Sequence, residues 1–241
     1  MQEKITGIVI DIVKHSDRHN VLTLFTRERG RVAFLAPLGK TQKARMRLSR
    51  LAPLAVVGAD VNFKGTRDLQ FLPDVTPVRV WRTLYFNPVK SSLVMFLMEF
   101  LNRLLRSEAP DPASFDFIIR SLEILDADGP VSPNFHIAFL LGMMHPAGIA
   151  PFAEGYESGY CFDMRAAQYA RFRPMHSDYI PAALAGFLPL LLRMNFRNMS
   201  AFRFSGDDRS RILGLLLRYY AVHLPGVASL KSPDILRDLF H

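Results

Sequence analysis

The stretch VLTLFTRERGRVAFLAP (residues 21–37) carries the pattern that decides the fold of the N-terminal part of the chain. Its first letters alternate in character, which places Leu22 and Leu24 on one face of a strand. The letters RERG that follow supply a hairpin turn, in which Gly30 can adopt positive φ without a steric penalty. RVAFLAP then returns as the next strand, so the stretch predicts a β-hairpin.

Further strand-like segments lie on both sides of this hairpin. ITGIVIDIV (residues 5–13) precedes it, and LAPLAVVGADVNF (residues 51–63) and LQFLPDV (residues 69–75) follow it. Five short strands within residues 1–82 are typical of a small closed barrel. Periodicity alone does not separate an OB-fold from an SH3-like barrel, and the OB-fold is the leading candidate.

The remaining residues show helical periodicity. Apolar residues recur at i, i+3, i+4 and i+7 across residues 91–108. Further helices are predicted at residues 112–126, 133–145, 181–193, 207–223 and 233–240. Residues 149–180 lack a clean period, carry several aromatic residues and are predicted to form an irregular or hairpin insertion. The sequence therefore predicts an α+β chain with a five-stranded OB-fold domain at residues 1–82 and a mostly helical domain at residues 83–241.

The net charge of +8 lies entirely in the first of these segments. Residues 1–82 hold 15 Lys and Arg against 7 Asp and Glu, whereas residues 83–241 hold 15 of each sign. Five of the twelve residues in GKTQKARMRLSR (residues 39–50) are basic and none is acidic. Such asymmetry is typical of a segment that binds a polyanion.

The letters GKT in this basic stretch do not form a phosphate-binding P-loop. That motif requires a glycine five residues earlier, and Phe34 occupies this position. Two interpretations remain, a loop that contacts a nucleic-acid backbone and a solubilising surface. The first is favoured because unscreened cations of one sign repel one another. The predicted phosphate contacts are Arg27, Arg29, Arg31, Lys40, Lys43, Arg45, Arg47 and Arg50.

Two phenylalanines of the hairpin are candidates for stacking on bases. Strand alternation allows Phe25 and Phe34 either to stack on a single strand or to lie in the core, and the core interpretation is favoured.

No catalytic or metal-binding constellation stands out. Cys161 is the only cysteine, which excludes an internal disulfide and a multi-cysteine zinc site and suits a reducing cytoplasm. The histidines lack HExxH spacing, and there is no GxSxG motif. Asp207 and Asp208 precede an apolar period and are interpreted as a helix cap and acidic first turn. We therefore expect a protein that is not an enzyme, with a hydrolase assembled from distant residues as an alternative.

The N-terminus and the apolar stretches argue against export and membrane insertion. The start MQEKITGIVI has no basic segment followed by a long apolar one, as a secretory signal requires. The longest apolar stretches contain Gly and Pro and fall short of the roughly 20 residues of a membrane span. We expect a cytoplasmic protein.

Three segments together resemble RecO, the family of bacterial recombination mediators. They are the hairpin with its basic loop (residues 22–54), FHIAFLLGMMHPAGIAPF (residues 135–152) and LLLRYYAVHLPGVASLKSPDILRDLF (residues 215–240). The resemblance implies an N-terminal OB-fold on a helical domain. It also implies a bacterial, nucleoid-associated protein that binds single- and double-stranded DNA and anneals complementary strands. Its implied partners are a RecR-type protein, the single-strand-binding protein and the recombinase that they load. A translation-associated OB-fold protein that binds RNA is the alternative.

One segment departs from the family pattern. Many RecO members carry a four-cysteine zinc site after the turn at residues 148–151, but this chain keeps only Cys161 there, among aromatic residues. A tetrahedral zinc site needs four nitrogen or sulfur ligands, so we expect no zinc. Four arginines of the helical domain allow two interpretations. Either they line a groove that receives the acidic tail of a partner, or they lie at solvated helix ends. These residues are Arg193, Arg197, Arg209 and Arg211.

Overall fold

The computed structural model describes residues 2–17, 19–37, 50–72, 74–152, 154–228 and 230. Contacts divide the chain into two compact units, Met1–Asp128 and Gly129–His241. The first unit therefore includes two helices beyond the predicted boundary at residue 82.

The first unit is built on a six-stranded sheet in the order β5-β3-β2-β1-β4-β6. Its strands are β1 (Gln2–Lys14), β2 (His19–Thr26), β3 (Gly30–Pro37), β4 (Val56–Asn62), β5 (Leu69–Phe71) and β6 (Thr76–Arg79). β1 lies in the middle and pairs antiparallel with β2 and β4, while β5 runs parallel to β3. This is the topology of the partly open OB barrel, with β6 added beside β4.

The prediction of an OB-type module is confirmed, but its closure and strand count are wrong in detail. β5 and β6 are opposite ends of the sheet order in the part of the chain that the structure describes, so the sheet is not closed. The predicted strand at residues 69–75 ends at Phe71, and a separate strand begins at Thr76. The sequence has a proline at position 73, and a proline has no N–H with which to continue a ladder.

Both faces of this sheet are buried over part of their area. One face contributes to a core cluster that includes Ile5, Val9, Leu22, Leu24, Phe34, Leu51, Val57, Val61, Leu72 and Val75. β2 is buried continuously from Leu22 to Thr26, because Phe25 on its other face packs against Phe115. Helices therefore cover part of the sheet within the first unit.

Two helices complete the first unit, α1 (Pro88–Leu104) and α2 (Pro112–Asp126). Asn87 and Asp111 cap them by accepting hydrogen bonds from N–H groups of the first turn. A proline opens each helix, at the position where the missing N–H costs nothing. The apolar face of α1 is buried, as the i, i+3, i+4 pattern predicts.

The second unit contains helices and a small sheet. Its elements are α3 (Phe135–Met143), β7 (Cys161–Asp163), β8 (Gln168–Ala170), β9 (Tyr179–Ile180), α4 (Ala182–Ala185), α5 (Leu188–Leu191) and α6 (Gly206–His223), with 3₁₀ turns at Met199–Ala201 and Pro225–Val227. The single helix predicted at residues 181–193 is thus two short ones. The helix predicted at residues 233–240 lies outside the described residues.

The long helix α6 is held to α3 by a buried hydrogen bond. The Tyr220 hydroxyl donates to the Leu140 oxygen at 2.7 Å, and burial holds the pKa of this tyrosine well above its usual value. Ser205 and Asp208 form a reciprocal capping box at the start of α6, and Asp207 also lies in its first turn. The capping interpretation of this acidic pair is confirmed.

The irregular insertion proves to contain the three-stranded sheet β8-β7-β9. Aromatic side chains pack around it: the Phe162 ring lies 5.3 Å from Tyr169 and 6.4 Å from Tyr219, between ring centroids. Among the described residues, no helix is both long enough and apolar enough to cross a membrane.

Candidate nucleic-acid interface

The turn between β2 and β3, together with the start of β3, holds three of the predicted phosphate contacts, and the backbone there is tightly fixed. Gly30 has a φ of +62°, and a Cβ at this position would lie 2.2 Å from the Ala109 oxygen. The next residue, Arg31, donates its backbone N–H to the Ser107 oxygen at 2.9 Å. The turn therefore packs against the segment that follows α1, and only glycine fits at its closest point.

The Arg31 side chain binds the C-terminal end of α1. Its guanidinium donates to the backbone oxygens of Asn102 and Leu105 at 3.1 and 3.0 Å, and to the Asn102 side-chain oxygen at 2.8 Å. These carbonyls lie at a helix end, where they lack partners within the helix and carry the negative end of its dipole. Burial, followed by the positive charge of Arg106, lowers the pKa of Arg31. Arg31 is a helix-capping residue.

Arg27 and Arg29 pair with carboxylates of the same unit. Arg27 donates to both oxygens of Asp116 on α2, at 2.7 and 3.3 Å. Arg29 lies 2.7 Å from the Glu3 carboxylate on β1, and its guanidinium lies 4.2 Å from the centroid of the Phe63 ring. Both arginine side chains are 44% exposed. Arg27 therefore links the turn to α2, and Arg29 links it to β1.

The four predicted phosphate contacts that the structure describes therefore all bond to other groups of the protein. Arg50, the remaining described member, donates to the Val75 oxygen at 3.0 Å. These four arginines contact acceptors that α1, α2 and neighbouring strands supply and that the linear sequence does not reveal. Their role as phosphate contacts stays a prediction. The other four predicted contacts, Lys40, Lys43, Arg45 and Arg47, lie outside the described residues.

Phe25 and Phe34 lie in the protein interior, with 2% and 0% of their surface exposed. Phe25 packs 6.1 Å from Phe115, and Phe34 packs 6.4 Å from Phe63, between ring centroids. Neither ring presents a face to a base in this structure, so the favoured core interpretation is confirmed.

Another aromatic residue of the sheet is exposed and has basic neighbours. Phe71, on the edge strand β5, is 50% exposed. It lines an open cavity of about 500 Å³ together with Gln2, Asp60, Asn62, Lys64, Arg67 and Gln70. We call these seven residues the β5 surface. In an OB-fold, the connection between the fourth and fifth strands is one of the loops that contact oligonucleotides, and Lys64 and Arg67 lie in it.

The sequence does not reveal the β5 surface, because the polar residue of β5 is buried and the aromatic one is exposed. LQF suggests that Gln70 faces solvent, yet Gln70 is buried and Phe71 is exposed. The Gln70 amide exchanges hydrogen bonds of 3.0 Å with the backbone of Lys64, which holds the turn that precedes the strand. A buried glutamine that satisfies a turn cannot be recognised from alternation alone.

The four arginines suggested for a partner tail occupy different settings in the second unit. Arg193, Arg197 and Arg211 are exposed, whereas Arg209 is partly buried and donates to the Phe204 oxygen at 2.7 Å. Arg193 and Arg197 both precede the 3₁₀ turn at Met199–Ala201. A tail-binding role for these residues stays a prediction.

The residues around Cys161 do not fit a zinc ion. The Cys161 thiol lies 3.3 Å from the carbonyl oxygens of Ala170 and Phe172, to which it can donate. Within the described part of the chain, no group of three or more His, Cys, Asp or Glu side chains is arranged to hold a metal ion. Packed aromatic rings and backbone pairing hold this segment together instead.

The two halves of the chain match two successive family models. Residues 1–81 match Recombination protein O N terminal, and residues 85–233 match Recombination protein O C terminal. The OB-type module and the segment that follows it thus correspond to the two parts of a recombination-protein family. The chain belongs to the Recombination protein O (RecO) family, as the resemblance predicted.

Similar proteins extend over the whole chain. The DNA repair protein RecO of Phocaeicola vulgatus is 34% identical over 240 residues and covers 100% of both chains. The protein of the same name from Porphyromonas gingivalis is 35% identical and covers 97% of each chain. That of Flavobacterium johnsoniae is 27% identical, again with complete coverage of both.

Proposed function

We propose that this protein is a DNA-binding recombination mediator that acts in DNA repair without catalysing a covalent step. It binds single- and double-stranded DNA, promotes annealing of complementary strands and helps load a recombinase. The supporting observation is that the whole excess of positive charge lies in residues 1–82, the segment that forms the OB-type sheet. The relatives named DNA repair protein RecO point to the same process.

The proposed contacts divide into phosphate and base contacts. Lys40, Lys43, Arg45 and Arg47 neutralise phosphates, and Lys64 and Arg67 supply further basic groups beside Phe71 on the β5 surface. Each neutralised phosphate releases counterions, so affinity falls as salt rises. Phe71 offers an exposed ring on which a base of a single strand can stack, for about 1–3 kcal/mol.

The proposed partners follow from family membership. A RecR-type protein, the single-strand-binding protein and the recombinase are the expected members of the loading complex, in the bacterial cytoplasm at the nucleoid. The acidic tail of the single-strand-binding protein is assigned to Arg193, Arg197, Arg209 and Arg211. Charge complementarity supports this assignment.

A competition titration tests the proposal. We expect unlabelled single-stranded DNA to displace a labelled DNA oligonucleotide from the full chain at lower concentration than RNA of the same sequence. RNA that competes better would favour the RNA-binding alternative. Metal-dependent nuclease or phosphatase activity of the pure protein would contradict a non-enzymatic role.

We also propose that the protein folds and binds DNA without zinc. Metal analysis of protein purified without chelator is expected to find zinc well below one equivalent. A stoichiometric zinc content that survives dialysis would contradict this, and the Cys161→Ser variant would then show whether the thiol is a ligand.

A further inference from the structure

The loop between β8 and β9 carries an exposed aromatic residue that the fold does not need. Phe172 is 77% exposed, whereas the neighbouring rings of Phe162 and Tyr169 are buried or partly buried. An exposed phenylalanine loses the favourable burial that its neighbours gain. Its position in a fixed loop suggests a binding role.

Two arginines flank this phenylalanine and stack on aromatic rings. The guanidinium carbon of Arg171 lies 5.6 Å from the centroid of the Phe172 ring, and that of Arg173 lies 5.2 Å from the centroid of Tyr179. A guanidinium that lies over a ring keeps its N–H edges available for planar acceptors such as phosphate. The sequence RFR thus presents one aromatic ring between two cations.

The acidic groups near this loop are engaged elsewhere. Asp178 accepts hydrogen bonds from Arg165 and Arg218, and Asp163 accepts from backbone N–H groups and lies 3.4 Å from His176. Glu157 interacts with the Tyr160 hydroxyl. In the described part of the chain, no ion pair neutralises Arg171 or Arg173. The loop therefore has local positive charge within a unit that holds 11 Lys and Arg against 8 Asp and Glu.

The small sheet holds this loop in place at both ends. β7 pairs with β8 before the loop and with β9 after it. The Cys161 thiol approaches the Phe172 oxygen at 3.3 Å, which adds a contact to the backbone of the exposed residue itself. A ring on an anchored loop costs less conformational entropy to bind than a ring on a free chain.

From this arrangement we infer that Arg171, Phe172 and Arg173 form a second contact for single-stranded DNA, located in the second unit. One base stacks on Phe172, and the two guanidiniums bind the flanking phosphates. The inference rests on the proposed DNA-binding function and extends it to a surface outside the OB-type sheet. Single strands are favoured over duplexes because paired bases are stacked on each other and offer no free face.

Equilibrium binding of a fluorescent oligothymidylate and of a duplex to the full chain tests this inference. Phe172→Ala is expected to weaken single-strand binding about fivefold to a hundredfold, the range that loss of one stacked base implies, and to leave duplex binding within about twofold. Phe172→Trp should retain binding. Met175→Ala is the matched control, since Met175 is fully exposed in the same loop but has no ring.

The arginines provide a second measurement. The Arg171→Ala, Arg173→Ala double variant is expected to weaken single-strand binding and to lower the slope of log affinity against log salt by about 1.4, or roughly 0.7 per lost contact. Polyglutamate that competes as well as oligothymidylate would overturn the inference, because carboxylates alone would then satisfy the site.

The outcomes distinguish failure of this inference from failure of the proposed function on which it rests. If the unsubstituted protein binds no DNA, both fail. If it binds single-stranded DNA and Phe172→Ala binds equally well, only the second contact is overturned. Photocrosslinking of an iodouracil-containing strand should label the peptide that contains Phe172, and labelling confined to residues 1–128 would also overturn it.

Discussion

Arg31 donates hydrogen bonds to both the backbone oxygen and the side-chain oxygen of Asn102, at 3.1 and 2.8 Å. A third bond to the Leu105 oxygen completes a fork that closes the C-terminal end of α1. This arginine belongs to the most basic part of the chain, yet its geometry is that of a structural cap. The charge of this arginine therefore serves to hold the sheet to a helix.

Replacing Arg31 by Ala is expected to lower the free energy of unfolding by about 1–3 kcal/mol, because partly buried carbonyls lose a charged donor. Arg31→Lys should recover only part of this, since an ammonium cannot match the planar fork. Denaturant unfolding measures the loss. Arg106→Ala, an exposed neighbour, is the control, and equal losses in the two Ala variants would contradict a capping role.

The pair of Arg27 and Asp116 allows a distinction between cross-linking and DNA binding. Both side chains are nearly half exposed, so the pair should contribute no more than about 1 kcal/mol to stability in a double-mutant cycle. Asp116→Asn removes a negative charge and releases Arg27, so it is expected to tighten DNA binding modestly at low salt. Arg27→Ala should weaken it. Weaker binding by the Asp116→Asn variant would contradict this assignment.

The order of strands and helices could be predicted from local patterns, because burial imposes periods of 2 and 3.6 residues. Leu22, Leu24 and the helix at Pro112–Asp126 illustrate this success. The roles of individual arginines could not be predicted in the same way. The partners of Arg27 and Arg31 lie 89 and 71 residues away along the chain, and only tertiary structure brings them together.

The exposed aromatic residues show the same limit. Phe25 and Phe71 both occur in strands, but one is buried against α2 and the other faces solvent at a sheet edge. A sequence assigns a strand residue to one of two faces but does not state which face a helix will cover. Which aromatic residues are available to a ligand therefore depends on tertiary structure.

Stability below neutral pH is expected to depend on His136. This side chain is buried, and burial, followed by the charge of Arg209, lowers its pKa from 6.5 to about 3. Between these values the unfolded chain binds a proton that the folded chain does not, so stability is lost as pH falls from 6.5 towards 3. The contribution changes by at most about 1.4 kcal/mol per pH unit.

Denaturant unfolding at pH 6.5, 5.5 and 4.5 checks this expectation. Between pH 6.5 and 5.5 ordinary carboxyl groups stay ionised, so groups with a lowered pKa such as Asp208 contribute little to that change, whereas they begin to contribute at pH 4.5. His136→Gln should flatten the pH dependence, and His145→Gln, at an exposed position, should leave it unchanged. A pH slope that is the same in the His136→Gln variant would show that another group is responsible.

The proposed function requires positive charge in the OB-type segment to bind the sugar–phosphate backbone of DNA. The most direct test is a binding isotherm for single-stranded DNA at two or more salt concentrations, with the unsubstituted protein and with Lys40, Lys43, Arg45 and Arg47 all replaced by Ala. We expect weaker binding of the variant to every DNA sequence and a salt dependence reduced by roughly 0.7–1 unit of slope per lost contact. Unchanged affinity and slope would contradict it.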